Sequence, residues 1–240
     1  MAGHNKWSKI KRDKGVNDAK RGAVFTRIGN QIAIAARSGT DPSMNPALAL
    51  AMEKARQANM PKDNIQRSID RVADKNAAVL EEITYEGYGP GGAGIIIETA
   101  TDNKNRTYPE VRTALTKNGG TMADAGSVMF QFTRKGVIRV KATGEDALLS
   151  VLDAGADDAS EEDGEIVVYT DMKELNNVRK AIIDSGLDVE DAELQYIANN
   201  PVSIDDEETA RKLLKVMDAL DDLDDVVNVH TNADITVDVE

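Results

Sequence analysis

Apolar positions in the first third of this chain recur at intervals of three and four, the period of a helix with one buried face. Phe25, Ile28, Ile32 and Ala35 follow that spacing and predict an amphipathic helix over about residues 18–37, stopped by Ser38-Gly39. Asn45-Pro46 has the form of an N-cap followed by proline at the first helical position. Leu48, Met52 and Ala55 line the helix that follows, and Pro61 opens a third lined by Ile65, Ile69 and Val72. Three short helices, each with one apolar stripe, predict a small helical domain.

The period changes near residue 80. Ile83–Tyr88 and Ala93–Ala100 read as strands joined by the turn-rich Gly87-Tyr88-Gly89-Pro90-Gly91-Gly92. Thr107-Tyr108-Pro109-Glu110 has the form of a capping box, so a helix lined by Val111 and Leu115 is expected to start there and end at Gly119. Ser127–Phe132 reads as a third strand. A second series then begins at Gly136: strand Val137–Lys141, helix Glu145–Leu152, a short strand before Gly164, strand Glu165–Tyr169, helix Lys173–Ser185 and strand Val189–Ile197. That order, β-α-β-β-α-β, is the ferredoxin-like signature. A last helix opened by Asp205 and Glu208 and a strand Val226–His230 have no sheet of their own, so they are expected to complete the earlier unit. The predicted class is α+β: an N-terminal three-helix domain followed by two ferredoxin-like α/β domains, the last inserted into the middle one. The boundaries are 1–78 for the basic arm and helical domain, 79–134 plus 201–240 for the discontinuous domain, and 135–200 for the insert.

Charge adds what periodicity does not show. Residues 1–78 hold 15 Lys and Arg against 7 Asp and Glu, whereas residues 79–240 hold 14 against 35. A basic front end on an acidic body is the footprint of a polyanion binder that uses one end only, because each cation meeting a phosphate releases a condensed counterion. Residues 1–17 show no apolar period. Lys6, Lys9, Lys11, Arg12, Lys14, Lys20, Arg21 and Arg27 could all reach phosphates, Lys20 and Arg27 sharing one helix face, and Trp7 could stack on an unpaired base. A solubilising tail is the competing reading, though such tails seldom carry a lone Trp.

The second and third helices resemble a helix-turn-helix whose Asn64, Gln66 and Arg67 are residue types that read base edges. An ordinary helical hairpin with a polar outer face is the commoner arrangement. Asp102–Thr107 places polar donors at a helix N-terminus, where anions are favoured. A plain polar loop before a cap reads equally well.

Other chemistries are excluded or unsupported. There are no cysteines, hence no disulfide, thiolate metal site or cysteine nucleophile. His4 and His230 are far apart and make no metal pattern. The acidic run Asp157–Asp163 lacks the spacing of a calcium loop, and Gly87–Gly94 joins strands and lacks the Gly-Lys-Ser/Thr ending of a phosphate loop. No catalytic residue, metal, cofactor or small-molecule substrate is expected. No apolar run approaches the roughly 20 residues of a membrane helix, and the N-terminus lacks the apolar core of a signal peptide. A soluble, cytoplasmic, non-enzymatic protein is the expectation.

Several segments taken together resemble the YebC/PmpR family: Met-Ala-Gly-His-x-Lys-Trp at 1–7, Asp-Ala-Lys-Arg-Gly at 18–22, Tyr-Glu-Gly-Tyr-Gly-Pro-Gly-Gly at 85–92, Asp-Asn-x-Asn-Arg-Thr at 102–107, Gly-Gly at 119–120 and Gly-Ser-Val at 126–128. The resemblance runs over essentially the whole chain. It implies a helical domain followed by two α/β domains, the last inserted. It also implies a regulator of gene expression, since the family is described as transcriptional regulators and has mitochondrial members that activate translation and bacterial members linked to the ribosome. Carried over by residue, it implies a nucleic-acid surface including Lys6, Trp7, Lys9, Lys11, Lys20 and Arg21, and a functional patch near Tyr88–Gly92 and Asn103–Thr107, hence Tyr88, Asn103, Asn105 and Arg106. Arg12-Asp13 departs from the family's usual His-Arg, and Asp13 weakens the local positive field.

Two functions follow. One is an RNA-directed translation factor that meets ribosomal RNA, and with it ribosomal proteins, through the basic arm. The other is a promoter-binding transcriptional regulator that uses the helix pair at 46–72, for which a dimer would be needed.

Overall fold

The structure, a computed structural model, describes residues 21–73, 78–237 and 239. Helices α1 (Arg21–Ala36), α2 (Pro46–Gln57) and α3 (Lys62–Asp70) form the helical region. Their apolar stripes meet: Ile28, Ile32, Leu48, Ala55, Met60, Ile65 and Ile69 are buried together. Val72, expected to continue the third stripe, lies beyond the end of α3 and is 40% exposed. Asn45 joins two helix ends. Its side-chain oxygen accepts from the Leu48 N–H, capping α2, while its amide donates to the carbonyls of Ala35 and Gly39 at 2.7 Å each, satisfying the end of α1. The turn into α3 uses Asn59 in the left-handed region at φ 57°, with Met60 N–H returning to Ala55 O at 2.9 Å.

Strands β1 (Glu81–Tyr88) and β2 (Gly94–Thr101) form an antiparallel hairpin across a 3₁₀ turn at Pro90–Gly92. Helix α4 (Lys104–Lys117) and strand β3 (Thr121–Ala123) follow, then a 3₁₀ turn at Met129–Gln131. The expected strand at Ser127–Phe132 is therefore not one. The stretch up to Gln131 is looped, and β4 (Phe132–Val140) starts where the expected strand ends. The expected capping box is also corrected. Helix α4 starts one turn earlier, capped by Asn103, whose side chain accepts from the N–H groups of Asn105 and Arg106. Thr107 lies inside the helix and is buried.

After β4 come α5 (Glu145–Asp153), β5 (Asp158–Glu162), β6 (Glu165–Thr170), α6 (Leu175–Asp184) and β7 (Val189–Ala198). Their sheet order is β5-β6-β4-β7, with β6 antiparallel to both β5 and β4. The chain then runs through β8 (Val202–Ile204), α7 (Glu207–Asp221), β9 (Val226–Thr231) and β10 (Ala233–Ile235). Strand β9 pairs antiparallel with β2, giving the sheet β3-β1-β2-β9, while β8 and β10 form a small parallel pair that periodicity did not predict. Helices α4 and α7 cover one face of the four-stranded sheet, where Ile95, Ile97, Val111, Leu115, Leu213, Met217, Leu220 and Val229 form a common core. Two compact units result: Thr133–Ile197, and the described residues up to Phe132 together with those from Ala198 onward.

Replacing Asn45 with Ala removes an N-cap and both hydrogen bonds to the end of α1, leaving Ala35 O with the Ser38 N–H alone. The expected loss is about 2–3 kcal/mol, read as a lower urea midpoint with an unchanged slope. Asn45→Asp, which keeps the cap but loses the amide donor, is expected to recover part of it.

Candidate nucleic-acid interface

Lys6, Trp7, Lys9, Lys11, Arg12, Lys14 and Lys20 lie outside the described residues, and of Arg21 only its place at the start of α1 is described. The other predicted contacts can be placed, and most serve the architecture. The Arg27 guanidinium donates to the Asp221 carboxylate at 3.1 Å and also to the Asp221 carbonyl, with its side chain only 12% exposed. It fastens α1 to the end of α7, so the guanidinium expected to reach a phosphate is engaged by Asp221 here. Two further arginines of the helical region behave alike. Arg37 donates to the Leu80 carbonyl, and Arg71 donates to Asn30 Oδ1 at 3.3 Å while facing Asp102 at 4.0 Å.

Arg106 is engaged by two carboxylates. Its Nη2 donates to both oxygens of Asp225 at 2.8–2.9 Å and lies 3.3 Å from Asp102. The hydrogen bond and charge of Asp225 push its pKa further up. Asp225 is buried and also takes the hydroxyls of Thr101 at 3.0 Å and Thr107 at 2.6 Å. Thr101 in turn accepts the Asn103 N–H at 2.9 Å. So Asn103 and Arg106 of the 102–107 motif secure the start of α4, and only Asn105 keeps an exposed side chain with no architectural bond among the described contacts.

The 85–92 motif is structural in the same way. Tyr88 donates its hydroxyl to the Ser127 carbonyl at 3.0 Å. A Cβ on Gly87 would sit 2.9 Å from the Thr121 carbonyl, and Gly91, at φ 74°, lies against the Ile204 side chain. Glu86 is buried and accepts the N–H groups of Gly126 at 2.5 Å, Val128 at 2.6 Å and Met129 at 2.8 Å. Burial alone would raise this carboxyl, but the three N–H donors outweigh it and hold the pKa below its usual value. This carboxylate folds Gly126–Gln131 into a loop. Sequence reasoning missed it because its three partners lie 40 or more residues away in the chain.

A cleft of about 550 Å³ opens beside Arg106, lined by Thr26, Asn30, Arg71, Asp102, Glu110 and Asp222–Asp225 among others. Its carboxylates outnumber its two guanidiniums, so it would repel a phosphodiester. The outer face of α3 carries Lys62 and Arg67 but also Asp63 and Asp70, all exposed, with Gln66 donating to Asp70 at 2.9 Å and Arg67 facing Asn64 at 3.4 Å. That face is balanced in charge. Among the described residues no cluster of three or more His, Cys, Asp or Glu is arranged to hold a metal, and no helix is long and apolar enough to cross a membrane.

The Glu86 arrangement fixes a pH dependence. Because the folded pKa is depressed, its stabilisation is complete above the ordinary value of 4.5 and is lost as pH falls through the folded pKa. Glu86→Gln is expected to cost about 2 kcal/mol near neutrality, and the gap to the unaltered protein to close in acid. Urea unfolding between pH 7 and pH 3 measures it. A gap independent of pH would mean that shape, not charge, holds the loop.

Comparison with known proteins agrees along the whole chain. Residues 5–75 match the model of the TACO1/YebC protein N-terminal domain, and residues 80–233 that of the TACO1/YebC second and third domain. A relative from Chloroflexus aurantiacus named "Probable transcriptional regulatory protein" is 47% identical over 247 residues, covering 100% of this chain and 98% of that one. A relative of the same descriptive name from Chlorobaculum tepidum is 47% identical over 242 residues, covering 98% and 96%. The crystal structure of a conserved hypothetical protein from Aquifex aeolicus superposes with a TM-score of 0.85 at 38% identity, over 92% of this chain and 93% of that one. With both family models and full-length relatives in agreement, this chain belongs to the TACO1/YebC family.

Proposed function

We propose that the protein regulates gene expression by binding nucleic acid through its basic N-terminal segment, and that its target is RNA, as in a translation factor working at the ribosome. The observation that carries this reading is how the cations of the first third of the chain are divided between the described helices and the segment before them. Of the helical region's arginines, Arg27, Arg37 and Arg71 are turned to Asp221, Leu80 and Asn30. The 1–20 segment holds Lys6, Lys9, Lys11, Arg12, Lys14 and Lys20 against Asp13 and Asp18. Trp7 among those cations suits irregular RNA, whose unpaired bases stack on aromatic rings, better than a regular groove. The charge-balanced face of α3 works against promoter recognition by the helix pair, because a groove reader also needs cations on the flanking phosphates. The family's regulatory name fits either target. The protein acts in this reading as a cytoplasmic binding protein, not an enzyme, and the acidic body faces away from RNA or toward basic proteins of the same assembly.

Engagement of five to seven phosphates by Lys6, Lys9, Lys11, Arg12, Lys14, Lys20 and Arg21 predicts a log–log salt slope of about −3.5 to −5 on single strands. A slope near zero overturns the electrostatic contact. Deleting residues 1–20 is expected to abolish binding and leave the cooperative melt nearly unchanged. Sucrose-gradient sedimentation with ribosomes separates the two targets. Comigration that 0.5 M salt disrupts is expected, whereas protein left at the top of the gradient that still retards a promoter fragment would refute the ribosomal assignment.

A further inference from the structure

Residues 79–240 are strongly acidic, yet α4 carries Lys104, Arg106, Arg112 and Lys117 against Glu110 alone. Fixing Arg106 on Asp225 sets which way this helix faces. Thr107, Val111 and Leu115 turn inward, and Lys104, Tyr108 and Arg112, four residues apart, form one exposed stripe. Tyr108 is 42% exposed, and its ring stands 5.9 Å from that of Tyr85 on β1 at an interplanar angle of 55°. Tyr85 thus packs beside Tyr108, which keeps much of its surface in solvent. Burial raises the Tyr85 hydroxyl pKa, and Lys104 lies close enough to offset part of that. Lys104 faces Glu81 at 3.1 Å, but both are more than half exposed, and such a pair exchanges readily for a phosphate. Asn105 is exposed beside the stripe and offers an amide.

We infer that the Lys104–Tyr108–Arg112 face of α4 is a second contact for single-stranded RNA, with an unpaired base stacked on Tyr108, phosphates on Lys104 and Arg112, and Asn105 placed to meet a ribose 2′-hydroxyl. An aromatic platform between two cations at one-turn spacing is the arrangement that holds a strand by stacking and charge together. A cationic island on an acidic body also draws a polyanion to that one place. The inference rests on the RNA-binding reading above and extends it to a surface that the basic segment does not include.

The test uses fluorescence anisotropy with a 20-nucleotide single-stranded RNA of mixed uridine and adenine, the DNA strand of the same sequence, and the full-length protein. Tyr108→Ala is expected to weaken RNA binding about five- to hundred-fold, Tyr108→Phe to leave it nearly unchanged, and Arg112→Glu to weaken it and flatten the salt slope by about one unit or more. Thermal melts check that each variant folds, and Arg112, being exposed, provides a variant that does not depend on the tyrosine packing. If the unaltered protein binds RNA but Tyr108→Ala and Arg112→Glu both bind within twofold of it, the second contact is refuted and the first reading survives. Equal weakening on the DNA strand overturns the assignment to RNA. If the unaltered protein binds neither strand, both readings fall.

Discussion

The Asp225 carboxylate is buried where β9 begins, and a buried anion is tolerated only when its donors are complete. Its donors come from elsewhere in the chain: Arg106 stands 119 residues away and Thr101 124. Meeting that requirement fixes much of the middle domain. Strand β2 must run to Thr101 beside β9, so the register shifts at Glu98/Thr99 and the Ala100 N–H reaches the Asp225 carbonyl at 2.8 Å. Helix α4 must start at Lys104 for Arg106 and Thr107 to point at the same carboxylate. Once α4 is fixed in rotation, its polar and aromatic stripe is set toward solvent. The pairing of Asp225 thus governs both the core and the surface presented to a partner.

Charge counts alone gave a picture that the structure divides in two. The surplus of cations in residues 1–78 is genuine, but in the described helices several arginines lie inward and are matched by acceptors of the domain behind. Their role is attachment: Arg27 on Asp221 and Arg71 near Asp102 dock the helical region on the sheet domain. An arginine held by a carboxylate contributes little field at a distance. An arginine held in this way serves the docking of the helical region before it serves any polyanion.

Elements with a local signal were legible in the sequence. The proline after Asn45 marked α2, and Asp205 with Glu208 marked the start of α7, although the residue that caps it is Asp206. Most of the insert's strands and helices followed from apolar spacing, whereas β5, the acidic Asp158–Glu162, has no such period and was expected only to complete the β-α-β-β-α-β order. Elements decided by distant partners were not legible. Val128, Phe130 and Phe132 alternate like a strand, but the Glu86 carboxylate captures the backbone N–H groups around them and makes a loop instead. Thr107 and Glu110 have the spacing of a cap, yet Asn103 lies closer to the turn that Thr101 and Asp225 impose. Strands β8 and β10 are three residues each, too short for any period to show. The family motifs identified the chain correctly, and Tyr88, Asn103 and Arg106 within them also make bonds that hold the chain to itself, as does Glu86, for which the sequence offered no local signal.

The loop around Gln131 bears on how the chain assembles. The Asn199 N–H donates to the Gln131 carbonyl at 2.8 Å, and the Asn199 amide reaches the Phe130 carbonyl at 3.3 Å, so the segment departing the host and the one returning to it are stitched side by side. Strands β2 and β9, whose Glu98 and His230 are 132 residues apart, close a long ring that contains the insert. Once the intervening ferredoxin-like sheet has folded, its own compactness brings the ends of that ring together and lowers the entropic cost of the final pairing. The insert is in this sense a molecular splint: it shortens the search that the host must complete.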